Sequence, residues 1–337
     1  METRKQRKRS LRLTLLLLLL TAILLLASSY AWFTANQTVT ISELQVNVAA
    51  QNGLQISADG NKWSALINKS DLQTAAGAYT SLVNQFPENL APVSTSGNVQ
   101  AGRMDMFLGS VNADATTGKD KLTATKETEA TGTTGNFIAF DMFLKVEQTT
   151  RIELTANSNV KAVGQSKGIE NAARVAFLVQ GYVPAGTALE TVQGQAGATT
   201  ATRYIWEPNY DVHTAAAVTH ASSVYGISTS ETGADQIAYD GIQAEISDGI
   251  LLASTNATAN STYFAATPIE YRTPANFGVS PDGGTTPSTD SQEIFTLNPG
   301  ITKIRVYMWI EGQDVDCENT ASGSNIAFNI QISRIST

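Results

Sequence analysis

One cysteine, Cys317, occurs in 337 residues, so no disulfide can form within the chain and the fold must be held by its core. About 300 residues are enough to bury such a core, and a lone thiol of this kind is expected to sit inside it as a small hydrophobe. The only histidines are His213 and His220, which narrows the choice of a general base near neutral pH. H-E-x-x-H, G-x-S-x-G, a Walker A loop and C-x-x-C are all missing, so the common zinc, serine-hydrolase, phosphate and redox templates fail. With these templates gone, the chain reads as a non-enzyme. No repeat of fixed period appears, which argues against a solenoid or propeller.

Long apolar runs are also absent, with one exception. Arg4, Lys5, Arg7, Lys8, Arg9 and Arg12 precede a run from Leu13 to Leu26 interrupted only by Thr14 and Thr21, a basic segment followed by an apolar one, as in an export signal helix. Ser29 and Ala31 place small side chains three and one residues before a cut at Trp32, which predicts a cleaved signal over residues 1–31. The competing reading keeps residues 13–33 as a membrane anchor, since ~20 apolar residues span a bilayer. Either way the basic end stays in the cytoplasm, the rest is secreted or displayed on the extracellular surface, and only the N-terminal segment touches the membrane. Removing residues 1–31, with six basic and one acidic side chains, takes the formal charge from −8 to −13. An acidic chain is a poor nonspecific ligand for nucleic acid.

What is abundant is period-two alternation, the mark of half-buried strands. Ile138, Phe140, Met142, Leu144 and Val146 share one face of "NFIAFDMFLKVEQ", with Asp141, Lys145 and Glu147 on the other, and "TRIELTA" repeats the pattern. In "TKIRVYMWIEG", Ile304, Val306, Met308 and Ile310 oppose Lys303, Arg305, Tyr307, Trp309 and Glu311. "NIAFNIQISRI" alternates in the same way, and the two segments are predicted to form a long-looped hairpin. Further strands are expected at "TVTISELQVNV", "LQIS", "RMDMFLG", "ARVAFLVQGYV" and "TRYIWE". Helical spacing occurs over Ser70–Gln85, with Ser70 as N-cap, and over a short turn at Ile169–Ala173. Residues 110–135, 186–201, 214–234 and 273–292 read as polar loops. The pattern predicts an all-β fold, an antiparallel β-sandwich of jelly-roll type over residues 32–337, with long polar loops and one or two short helices. An elaborated insertion, or a second small β-subdomain, falls within 184–300.

Two stretches could carry metal chemistry. Glu207, Asp211 and His213 in "WEPNYDVH" recur on one face of an extended segment; the plainer reading is a polar loop broken by Pro208. Asp314, Asp316 and Glu318 in "DVDCEN" bring hard oxygen ligands together, although the glycine and glutamate of an EF-hand are missing. Calcium is the cation such a loop would take, and a solvated acidic loop tip is the alternative. Tyr204, Trp206, Tyr307 and Trp309 could form a carbohydrate-stacking platform, as in a cell-wall-binding module, or fill the core.

The junction "SSYAWFTANQTVTISELQVNV" and the paired segments "FIAFDMFLKVEQTTRIELTANS", together with the basic and leucine-rich leader, resemble the TasA and camelysin family of secreted bacterial proteins. The resemblance covers about a third of the chain. It implies a jelly-roll whose first strand, supplied here by Val39, Ile41, Leu44, Val46 and Val48, follows the signal at once. It also implies a structural role, in which subunits of extracellular biofilm-matrix fibres self-assemble, or meet other surface proteins, by lending that strand to a neighbour. Camelysin's description as a metallopeptidase implies the alternative of a metal-dependent hydrolase built on His213.

Overall fold

The computed structural model describes residues 38–48, 53–75, 79, 82–113, 120–155, 157–197, 203–209, 212–220, 250–253, 293–312, 314, 316–318 and 321–335. The leader and its cleavage residues Ser29, Ala31 and Trp32 lie outside them, as does Asp211. Strands dominate, in three sheets.

The first sheet runs β14 (Glu293–Leu297), β9 (Thr150–Leu154), β16 (Ser324–Arg334), β1 (Val39–Val48) and β3 (Leu66–Asn68), with β10 (Asn159–Ala162) also beside β16 and β4 (Asn89–Leu90) beside β1. The second runs β12 (Arg203–Trp206), β11 (Ala173–Val183), β15 (Gly300–Ile310), β8 (Ile138–Val146) and β2 (Gln55–Ser57). A third sheet orders β13 (Ile250–Ala253), β7 (Asp120–Lys126), β6 (Arg103–Ala113) and β5 (Val93–Gln100). Short helices cover Lys69–Ala75 (α1), Leu189–Gln193 (α2) and Ala215–His220 (α3), and a 3-10 turn covers Ile169–Ala172.

The first two sheets share the main core, in which the alternating faces of β1, β8, β15 and β16 meet: Leu44 and Val46, Phe140 and Met142, Val306 and Met308, Phe328 and Ile330. β1 keeps its apolar side chains inward by a register slip between Ile41 and Glu43. Strict alternation after Ile41 would bury Glu43; the bulge leaves Ser42 and Glu43 both exposed and returns Leu44, Val46 and Val48 to the core.

Four expectations need correction. β15 and β16 are not a hairpin: β15 pairs with β8 and β11 in one sheet, β16 with β1, β9 and β10 in the other. Two long strands with apolar faces satisfy the same pattern by facing each other across the core, so alternation could not distinguish the two arrangements. The pairing of β1 with β16 is parallel, unlike the other strand pairs described. Helix α1 is shorter than Ser70–Gln85, and Asn68 caps it: the Asp71 N–H donates to Asn68 Oδ1, and the Asn68 N–H to Asp71 Oδ2. Asn84 and Gln85 instead tie to β8, with reciprocal bonds between the main chains of Gln85 and Ala139. Within the expected loops, Asp120–Lys126 forms β7, and Leu189–Gln193 and Ala215–His220 are helical.

The second sheet is buried on both faces. Its far side meets the third sheet through Val93, Met104, Met106, Ala176, Leu178, Tyr307 and Trp309. Trp206, Trp309 and Tyr307 are almost fully buried and Tyr204 packs on the core, so these four aromatics make no stacking platform.

Candidate functional site

Asp141 on β8 and Lys303 and Arg305 on β15, expected opposite the apolar face, are buried, as is Arg174 on β11. Arg174 is fully buried; its Nη2 lies against both Glu207 (2.8 Å) and Asp314 (2.6 Å), and its Nη1 donates to the carbonyls of Asn171 and Ala173. The two stretches singled out for metal chemistry therefore converge. His213 Nδ1 meets Asp316 Oδ2 at 2.7 Å, and the Thr214 N–H donates to the other oxygen at 2.8 Å. Asn209 extends the join by donating to the carbonyls of Val160 and Glu170.

In this arrangement the carboxylates of Glu207 and Asp314 face a guanidinium, and that of Asp316 an imidazole. Glu318 is half-buried. Among the described residues no three His, Cys, Asp or Glu side chains are grouped to hold a metal ion. What the cluster does is tie Glu207, His213 and Thr214 to Asp314 and Asp316 at the end of β11 that carries Arg174. Cys317 is buried beside it. Burial, then Asp314 and Glu311, push its thiol well above the ordinary range, which makes it a poor nucleophile.

A second polar group, on the same face of the second sheet, escaped the sequence reading. Asp141 on β8 accepts from Arg305 (2.7 Å), Lys303 (3.0 Å) and the Tyr79 hydroxyl (2.9 Å). Arg305 also bonds to Glu129, which in turn pairs with Arg103 and accepts from the Tyr307 hydroxyl. Lys303 donates to the Gln193 carbonyl and lies over the Tyr79 ring. Burial alone would raise the Asp141 carboxyl, but Arg305 and Lys303 outweigh it and hold it below the usual carboxylate range. A depressed native value means stability that is present above about pH 4 and lost as pH falls through the native value. Acid titration of stability should thus be shallower in Asp141→Asn than in the wild type, measured by urea midpoints between pH 2 and 6; equal slopes would refute it.

Beside this group lies an open pocket of about 130 Å³, lined by the segment Gly194–Ala196 and the turn at Ala101–Gly102. Gly102 has φ +71°, and a Cβ there would come within 1.8 Å of the Ala196 carbonyl oxygen, so only glycine permits this approach. A larger open groove, of about 400 Å³, runs along Trp63, Leu66 and α1.

No family model, curated protein or solved structure matches this chain. Function therefore has to be argued from its own geometry.

The assembly strand named from sequence is placed most fully. Val39, Ile41, Leu44, Val46 and Val48 are all buried, and β1 lies between β16 on one side and β3 and β4 on the other. From Val39 to Val48 it pairs along nearly the whole of β16. Without it, the apolar strand Ser324–Arg334 would present an open edge in mid-sheet.

Proposed function

We propose that this chain is an exported structural protein, secreted or held at the cell surface, whose subunits self-assemble by exchanging the Val39–Val48 strand. The observation that carries the reading is the place of β1: the first strand of the fold fills a mid-sheet slot by alternate buried side chains. A slot of this kind takes an identical strand from a neighbour equally well, because main-chain bonds supply affinity and side-chain pockets supply register. The same chain can therefore close on itself as a monomer or pass its strand onward, subunit to subunit.

Resemblance to the TasA and camelysin family supports the same role, with cleavage before Trp32 freeing the strand and retention of residues 13–33 tethering it. The winding is in keeping with a jelly-roll: β8 and β9, and again β15 and β16, are consecutive strands that lie in opposite sheets. The acidic charge of the exported part favours solubility before assembly.

Electron microscopy of the protein purified from the culture supernatant or cell surface, with N-terminal sequencing, tests this. Filaments with a subunit repeat are expected, and a mature chain starting at Trp32. Particles that stay monomeric over the whole range of concentration, pH and salt would overturn assembly.

A further inference from the structure

We propose that the cavity between the Gly194–Ala196 segment and the β5–β6 turn binds a small monocarboxylate anion. The proposal is independent of strand exchange. Its lining brings Arg103, Lys303 and Arg305 together with a single carboxylate, Asp141, and with the amides of Gln180 and Gln195.

Charge bookkeeping within the contacting group leaves a cation over. Asp141 serves Lys303 and Arg305, and Glu129 serves Arg103 and Arg305: three cations share two carboxylates. Asp59, which also acts on Tyr79, has its carboxylate occupied by the Ser57 hydroxyl and the main-chain N–H groups of Asn61 and Lys62. The excess is felt at the cavity. Burial, and then repulsion from Arg305, lowers the affinity of Arg103 for its proton; burial also lowers that of Lys303, with Asp141 opposing it. The excess falls on Arg103, the most exposed of the three cations, so one negative ligand charge would pair with it at the mouth.

Donors are available to hold that ligand. Of the five N–H groups of Arg103, one is engaged, by Glu129. The side chain is 39 % exposed, which puts it at the mouth, where a planar guanidinium suits a planar carboxylate. Lys303 spends two donors, on Gln193 and Asp141, of the three an ammonium carries. Gln195 donates one Nε2 hydrogen to the Val192 carbonyl and keeps a second. This lining favours an anion of few heavy atoms with one charge, since a cavity of about 130 Å³ excludes anything much larger. One charge on a flat two-oxygen head selects a carboxylate over phosphate.

Titrating the full chain in detergent with sodium acetate, against sodium chloride at equal ionic strength and inorganic phosphate as a third arm, tests the site by calorimetry and thermal unfolding. Acetate should bind saturably and raise the melting temperature where chloride does not. Arg103→Gln should weaken acetate about tenfold, the effect of losing one charged hydrogen bond, while Lys161→Gln on the exposed β10 changes nothing. Gln195→Glu supplies the missing negative charge within the lining, so it should raise the melting temperature without ligand and abolish the acetate response. Should Arg103→Gln fail to fold, Gln195→Glu still decides. Identical responses to acetate and chloride, a response that survives Gln195→Glu, or tighter binding of phosphate than of acetate would each overturn the proposal.

Discussion

Arg174→Met should destabilise the protein by about 3–5 kcal/mol, the usual cost of removing one partner from a buried ion pair. The side chain is fully buried and sits between Glu207 and Asp314. Methionine keeps much of the apolar stem, so the loss reports the stranded carboxylates rather than a large cavity. Most of it should return when the stranded charges are neutralised as well: the triple variant Arg174→Met, Glu207→Gln, Asp314→Asn is expected to lie much closer to the wild type than the single one. Urea unfolding of the three proteins decides it. A single-variant cost below about 1 kcal/mol, the range of an exposed pair, would mean the network does not organise this end of the sheet. His213→Ala gives a local control, because it leaves the Arg174 group intact while removing the bond to Asp316.

The sequence carried the strands and their inward faces but not the third layer. Alternation in β8, β15 and β16 named the residues that form the main core, and even the phase slip in β1 was visible as Val39, Ile41, then Leu44, Val46 and Val48. A periodic pattern distinguishes one face from the other without saying what covers each. Asp141, Lys303 and Arg305 look like ordinary solvent-facing charges until the β5–β6 turn and the segment after α2 close over them. Their one legible signal was density: Lys303, Arg305, Tyr307 and Trp309 alternate on a single strand, an unusual mixture for a face meeting only water. The cluster of Arg174, Glu207, His213, Asp314 and Asp316 was half legible. Both acidic stretches stood out, but their meeting depends on contacts about 100 residues apart in sequence, and Arg174, which pairs with two of the acids, sits in a run otherwise apolar. Weak strands such as Asp120–Lys126 were hidden because threonine and lysine at alternate positions read equally well as a polar loop.

Deleting residues 38–48 from the full chain should leave a protein that does not fold alone, and a peptide of those residues added in trans should restore it. Burying each of Val39, Ile41, Leu44, Val46 and Val48 contributes about 1.5–3 kcal/mol, roughly 7–15 kcal/mol for the five, which matches the entire stability of a typical domain at about 5–15 kcal/mol. Lost with them are the main-chain bonds to β16, β3 and β4, leaving β16 with an open apolar edge. A strand that contributes this much is a strong ligand for the slot it vacates, and strand exchange between subunits needs that property. Recovery on adding the peptide, followed by near-ultraviolet circular dichroism and thermal melting, should be saturable. A peptide with Leu44→Asp and Val46→Asp, which keeps length and main chain but puts charge at two buried positions, should fail. A second control breaks the register: deleting Gln45 from the peptide makes Leu44 and Val46 adjacent, throws Val46 and Val48 out of phase with Leu44, and should weaken binding nearly as much. If the deleted chain folds unaided with the wild-type melting temperature, β1 is dispensable to the sheet and strand exchange loses its physical basis. If it folds only with the peptide, the slot accepts its strand from outside, and the step from monomer to filament requires only that the strand come from the next subunit.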